Sequence, residues 1–267
     1  MKTLNTLFKS FSILILIVSI ISCEKESDLT LEEIISDNSK EEFDFENFGR
    51  AHNAYLEYVW DFENNYNPEA RFNYGKTYVD PIFGSFDTGL TWKELNRQMP
   101  MHIERVNAIL EGKYNAQQEN LSPVMTNFLN RLAKIVKASV DNKTSINDFK
   151  LELSDLENDV QLKEEIIINI NTGISNDGAA MLAITSILKY STDYWINFDR
   201  ANSSDGNGNG GGNSGDLPLA KGKIWRALAD AWGYVSAWVD NGDGSYSWDH
   251  ESALVNADCV SDKVREN

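Results

Sequence analysis

Two polar side chains, His52 and Ser191, interrupt apolar stripes that recur at helical spacing in two separate predicted helices. In a third predicted helix, which is almost wholly apolar, Asp230 is the acid that packing would bury. An imidazole, a hydroxyl and a carboxylate can perform acid–base or nucleophilic chemistry, and they can also join helices through buried hydrogen bonds. Because such a group costs about 1–3 kcal/mol when buried without a partner, we expect His52 to lie within hydrogen-bond or one-water reach of Ser191, Asp193 or Asp230.

We call His52, Ser191, Asp193 and Asp230 the polar seam. No sequence motif identifies these residues as a known type of catalytic centre. Ser191 lacks the Gly-x-Ser-x-Gly turn of a hydrolase nucleophile, and the three histidines, His52, His102 and His250, are far apart in the chain. The sequence therefore predicts no metal and no cofactor, and it leaves the catalytic residues unknown. The favoured interpretation is a polar clamp that fixes helix register, and the alternative is a small functional site at the same seam.

The acidic segment Asp240–Ser245 has the composition of a calcium loop but not its order. An EF-hand loop needs oxygen ligands at positions one, three and five and a glycine at position six. A loop that starts at Asp240 has glycines at positions three and five. The segment therefore predicts a tight acidic turn.

The N-terminus has the pattern of an export signal. Two lysines precede an apolar run over 11–21, which is too short for a bilayer span of roughly 20 residues. The run ends in Ile20-Ile21-Ser22-Cys23, which resembles the lipobox of bacterial lipoproteins. We expect a signal peptide over 1–22 and a lipid on Cys23 that holds the mature chain to a membrane. An uncleaved anchor is the alternative.

Charge and cysteine content restrict the partners and the source of stability. The net charge is −17, and removal of 1–22 takes away two lysines and no acid, which gives −19. This charge repels phosphate backbones, so nucleic acid is not an expected partner.

Once Cys23 carries lipid, Cys259 is the only other cysteine, so the core must stabilise the fold without an internal disulfide.

Hydrophobic periodicity predicts a mainly α fold, an irregular helical bundle. Helices are predicted over 44–63, 92–110, 123–140, 145–160, 179–198 and 224–239. Segment 161–170 also suits a strand, but its helical neighbours favour helix. No convincing strand is predicted elsewhere.

Individual residues predict details of these helices. Thr91 and Ser122 are suited to cap the helices that follow them, and Pro100 predicts a kink or a break. Asp230 is expected to pair with Arg226, one turn earlier on the same helix.

Two segments interrupt the helical pattern and define the domain organisation. Asn64–Gly89 predicts a long aromatic-rich loop, with a short hairpin as an option. Residues 201–216 are almost wholly Gly, Asn, Ser and Asp, which predicts a flexible linker. We therefore expect an acidic tether over 23–43 and a single α-helical domain over 44–267. The linker would join two helices of one bundle, because the piece after it carries four of the seven tryptophans.

Three short elements resemble those of uncharacterised secreted and lipoprotein helical proteins of the Bacteroidota. Gly49–Leu56 is similar to their Gly-x-x-His-Asn-x-x-Leu element, and Ser191–Trp195 to their Ser-x-x-Tyr-Trp element. Trp225–Gly233 resembles their tryptophan helix with Asp-Ala-x-Gly. The acidic Glu24–Asp28 resembles the surface-export signal of outer-membrane lipoproteins in this phylum. The resemblance implies a helical fold and a place in the cell envelope, at the outer membrane and displayed on the surface; it implies no activity.

The sequence leaves three functions open. The favoured one is a membrane-anchored lipoprotein that binds a protein or glycan partner without catalysis, with exposed tryptophans such as Trp248 on the binding face. The alternatives are an envelope hydrolase that acts on polysaccharide or peptide, and an antibacterial or immunity-type protein. A deep pocket lined by His52 and two carboxylates would favour the hydrolase, and a flat tryptophan patch would favour the binder.

Overall fold

The structure, a computed structural model, describes residues 43–63, 66–84, 89–202 and 221–265. Within these ranges it contains eight α-helices and one four-stranded sheet, which confirms the predicted mainly α fold. The predicted signal peptide, Cys23 and the tether up to residue 42 lie outside the described residues, as does the predicted linker from residue 203 onward. No helix of the described part is long and apolar enough to cross a membrane.

The elements follow one another in chain order. The helices are α1 (Glu46–Trp60), α2 (Pro68–Gly75), α3 (Trp92–Leu110), α4 (Pro123–Asn142), α5 (Ile146–Lys163), α6 (Asp177–Asn202), α7 (Lys221–Val235) and α8 (His250–Arg265). The strands are β1 (Ile168–Asn169), β2 (Ile174–Asn176), β3 (Trp238–Asp240) and β4 (Ser245–Trp248). A short 3-10 helix, Ala116–Glu119, lies between α3 and α4.

The predicted helix starts are confirmed by their hydrogen bonds. Thr91 accepts from the backbone of Glu94, whose carboxylate accepts in return from the backbone of Thr91. Ser122 caps α4, because its hydroxyl oxygen accepts from the backbone N–H of Met125 at 3.0 Å. Of the kink or break predicted at Pro100, the break is wrong, because α3 continues through the proline to Leu110. Buried side chains on both sides of the proline hold the helix against the core.

The segment predicted as a long loop, Asn64–Gly89, contains a helix. Asn67 caps α2 by accepting from the backbone of Ala70, and Pro68 occupies the first turn. Phe72 from α2 is 1% exposed and packs in the core. The polar and apolar residues of α2 are not separated onto two faces, so its sequence resembles that of a loop. This explains why a loop was predicted where the structure has a helix.

The sheet overturns two helix predictions. The strands are antiparallel in the order β1-β2-β4-β3. The helix favoured over 161–170 ends at Lys163, and the predicted helix to residue 239 ends at Val235. In both segments the residues after the helix form strands, because β2 pairs with β4 from a distant part of the chain. The predicted acidic turn is confirmed between β3 and β4.

Close backbone contacts set the packing of the central helices. Helix α6 packs against α1, α5 and α7, and α8 packs on α7. A Cβ atom on Gly233 of α7 would lie 2.7 Å from the Cα atom of Ala257 on α8, so only glycine permits this approach. The described residues, 43–63, 66–84, 89–202 and 221–265, belong to one compact unit.

Candidate functional site

Three of the four predicted polar residues meet at one carboxylate. His52 on α1, Ser191 on α6 and Asp230 on α7 are each 0% exposed. The Ser191 hydroxyl donates to Oδ2 of Asp230, and Trp195 Nε1–H donates to the same oxygen at 2.6 Å. Nε2 of His52 lies 3.7 Å from that oxygen. We call these four residues the Asp230 cluster.

Contacts between α1 and α6 position His52. The backbone N–H of Gly49 donates to Ser186 Oγ at 3.0 Å, and Asn53 Nδ2 donates to the Tyr190 carbonyl at 3.0 Å. A Cβ atom at Gly49 would overlap the Tyr190 ring, so this glycine allows the two helices to approach. Helices α1 and α6 therefore pack side by side.

The fourth predicted residue, Asp193, lies outside the cluster. Its side chain is 44% exposed and pairs with Lys150 at 2.5 Å. Two residues along a helix turn a side chain about 200° from Ser191, so both cannot point at the same neighbour. Arg226, the predicted partner of Asp230, has its guanidinium carbon 5.0 Å from the centroid of the Trp195 ring.

A second buried polar group was missed by sequence reasoning. The Tyr234 hydroxyl lies 2.6 Å from Nδ1 of His250, whose Nε2 lies 3.2 Å from Oδ2 of Asp80. Burial disfavours the Asp80 carboxylate, but the hydrogen bonds from His250 and from the backbone of Phe83 outweigh burial and lower its pKa. Burial lowers the pKa of His250, against the attraction of Asp80.

A third buried group joins α2 to α8. Arg71 is 0% exposed, and its Nε and Nη2 lie 2.9 Å from Asp258 and 2.8 Å from Asp262. Its guanidinium carbon also lies 4.6 Å from the centroid of the Trp60 ring. Burial raises the pKa of Asp258 to about 6, although Arg71 acts against this shift. Arg71 escaped notice in the sequence because it lies in the segment predicted to be a loop.

Two surface cavities lie away from the Asp230 cluster. One has a volume of 310 Å³ and lies beside the start of α1, and the other has 100 Å³ and lies near the start of α4. Neither is lined by a residue of the cluster. The first contains the carboxylates of Glu46 and Glu157, and both accept hydrogen bonds from Lys189. Among the residues described, no group of His, Cys, Asp or Glu could hold a metal ion.

The predicted exposed tryptophan face is wrong. Trp248 is 8% exposed and stacks on Trp238 with ring centroids 5.3 Å apart. It also packs against Phe48 and Phe83, so it belongs to the core. Alternation along β4 turns this side chain inward.

One partly exposed aromatic surface consists mainly of tyrosines. Tyr74 of α2 lies between Tyr58 and Phe62, with ring centroids 4.5 Å and 4.4 Å apart and nearly parallel planes. Tyr78 extends the group at 5.3 Å from Tyr58. We call these four residues the tyrosine face. Tyr66, in the connection between α1 and α2, is 80% exposed.

Comparisons with protein-family models, with characterised proteins and with solved structures gave no match.

Proposed function

We propose that this protein is a lipid-anchored component of the cell envelope whose helical domain binds a protein partner without catalysis. The complete burial of the Asp230 cluster is the observation that carries the proposal. The hydroxyl, imidazole and carboxylate that could have formed an active centre are each 0% exposed, and neither cavity reaches them. Because all three side chains are closed to solvent, their burial supports a role in joining α1, α6 and α7.

The anchor part of the proposal rests on the N-terminal sequence. The apolar run that ends in Ser22-Cys23 supports cleavage before Cys23 and acylation of its sulfur. Stable attachment needs more than one acyl chain, which the lipobox resemblance implies. Inhibition of the lipoprotein signal peptidase should cause the uncleaved precursor to accumulate, and labelled palmitate should enter the natural chain but not a Cys23→Ser variant. Label in the variant would refute the anchor.

The tyrosine face is the surface that best fits a protein partner. Tyrosine supplies a large, rigid contact area at a small loss of conformational entropy, and it is enriched in protein interfaces. Exposed acids Glu57, Asp61 and Glu69 lie on the same two segments of chain. Charge complementarity therefore favours a partner that presents lysine or arginine among aliphatic side chains.

Site-specific crosslinking in cells tests this proposal. A photo-reactive residue at position 74 should crosslink to one discrete protein, and Phe62→Ala should reduce the yield. High salt should also weaken the contact, because surface ion pairs are screened. The same probe at Leu162, which is 84% exposed on α5, is the control and should give no discrete product.

Two outcomes would overturn the proposed function. Binding to an isolated envelope polysaccharide, with no protein crosslink from position 74, would make the partner a glycan. Release of sugar or peptide products by the natural protein, lost in a folded Asp230→Asn variant, would make the protein a hydrolase. In that case the cluster would need to open to solvent.

A further inference from the structure

The turn between β3 and β4 places an asparagine directly before a glycine on the surface. Asn241 and Gly242 are both exposed, and the backbone N–H of Asn241 donates to the Ser245 carbonyl at 3.0 Å. Gly242 has a φ of +79°, and a Cβ atom added there would meet nothing within 4 Å. No side chain on residue 242 and, among the described residues, no neighbouring atom at the Cβ position therefore hinders access to the Gly242 amide nitrogen.

Hydrogen bonds contact the backbone nitrogen, the carbonyl oxygen and the leaving nitrogen that an intramolecular reaction of Asn241 would use. The Gly242 N–H donates to Oδ1 of Asp240 at 2.7 Å. The Ser247 hydroxyl donates to Oδ1 of Asn241 at 3.0 Å. Nδ2 of Asn241 donates to Ser245 Oγ at 2.9 Å. A carboxylate thus contacts the potential nucleophile, a hydroxyl contacts the carbonyl oxygen, and the amide plane is fixed.

We propose that Asn241 is a self-catalysed deamidation site, with the Gly242 amide as nucleophile, Asp240 as general base and Ser247 as the donor to the developing oxyanion. A base within hydrogen-bond reach of the proton it removes is the geometric requirement for general-base catalysis. A hydroxyl already bonded to the carbonyl oxygen stabilises the charge that forms there during attack. This proposal is independent of the proposed partner.

The reaction balances without an oxidant or a reductant. The Gly242 nitrogen forms a bond to Cγ of Asn241 and transfers its proton to the Asp240 carboxylate. The bond between Cγ and Nδ2 breaks, and Nδ2 leaves as ammonia after taking up one proton, which Asp240 returns through solvent. The product is a five-membered succinimide. Water then adds to either carbonyl and opens the ring to aspartate or isoaspartate at position 241.

Conversion would alter the hairpin. A carboxylate at position 241 would lie beside Asp240 and Asp243, and it could no longer donate to Ser245. Isoaspartate would also lengthen the backbone at the turn. Since β4 carries the buried Tyr246 and Trp248, the modified chain should hold this hairpin less tightly.

The chain contains its own controls for the test. The same Asn-Gly pair occurs at Asn207 and Asn209, which lie outside the described residues. Trypsin separates them, because cleavage at lysine and arginine yields the peptides 201–221 and 227–263. The full chain is incubated at neutral pH, either folded or in urea, and fragment spectra locate each conversion. Asn241 should react at least about tenfold faster in the folded chain than in urea, and faster than Asn207 or Asn209, because a placed general base typically contributes about 100-fold or more and exposure to water reduces this gain.

Two variants assign the base. Asp240→Ala should slow conversion of Asn241 by about tenfold, whereas the matched Asp243→Ala should change it by less than about twofold. Ser247→Ala should also slow it while leaving Asp240 in place, and unchanged tryptophan fluorescence verifies that each variant is folded. Equal rates in the two aspartate variants, or an Asn241 that reacts more slowly in the folded chain than in urea, would overturn the proposal.

Discussion

The substitution Asp230→Ala tests the role of the buried cluster most directly. It removes the only acceptor that the structure gives to the Ser191 hydroxyl and to Trp195 Nε1–H among the described residues. Both donors are 0% exposed residues, so water cannot replace the carboxylate without entering the core. His52 also loses its nearest charged neighbour, at 3.7 Å.

The expected loss of stability is large. Each donor left unpaired in the core costs about 1–3 kcal/mol, and the cavity left by the carboxylate adds to this. Relief of the desolvation of Asp230 itself acts in the opposite direction. We expect the free energy of unfolding to fall by about 3–5 kcal/mol, out of the roughly 5–15 kcal/mol that stabilises a domain. The melting temperature should then fall by about 10 °C.

Urea unfolding followed by tryptophan fluorescence measures the effect, and Asp193→Ala is the matched control. Asp193 pairs with Lys150 at the surface, where an ion pair contributes about 0–1 kcal/mol. The natural protein, Asp230→Ala, Ser191→Ala and the variant that carries both substitutions form a double-mutant cycle, in which Ser191 and Asp230 should show a coupling energy of about 1–3 kcal/mol. Equal losses for Asp230→Ala and Asp193→Ala, or no coupling between Ser191 and Asp230, would refute the clamp.

Three further predictions concern the rest of the fold. Thr91→Ala should reduce the free energy of unfolding by about 1 kcal/mol in urea titrations, because α3 loses its cap, whereas no change would argue against the capping box. Gly233→Ala should lower the melting temperature, since its Cβ would lie 2.7 Å from the backbone of Ala257 and overpacking costs about 1–3 kcal/mol. The pKa of Asp258 is raised from 3.8 to about 6, so its contribution to stability is fully present below 3.8 and is lost as the pH rises through 6. The natural protein should therefore lose up to about 3 kcal/mol, relative to Asp258→Asn, as the pH rises through this range, and parallel pH profiles would contradict the shift.

Local patterns in the sequence were sufficient to predict the long helices and the three polar residues at the centre of the Asp230 cluster. A helix cap such as Thr91 or Ser122 bonds to the backbone within one turn, so the local sequence alone is enough to predict it. His52 and Ser191 stand out because a polar residue inside an apolar stripe must find a partner. Asp230 was the one acid in an otherwise apolar helix. These signals do not depend on knowing which helices meet.

The missed features depend on distant parts of the chain. Arg71 bonds to Asp258, which is 187 residues away, and Asp80 bonds to His250, which is 170 residues away. Strands β1 to β4 contain two to four residues each, which is too short for alternation to distinguish them from helix ends. Only pairing between segments makes them strands.

The same separations affect how the chain can fold as it is made. Arg71 and Asp80 emerge early, but their partners lie on α8, the last helix described. Until α8 is synthesised, a closed core would hold the Arg71 guanidinium without its carboxylate partners and the Asp80 carboxylate without its hydrogen bond to His250, which is strongly unfavourable. The unfinished chain should therefore remain open and adhere to chaperones or a translocation channel. A protein that crosses a membrane unfolded would gain from this delay, because its final turns would complete the core only after transport.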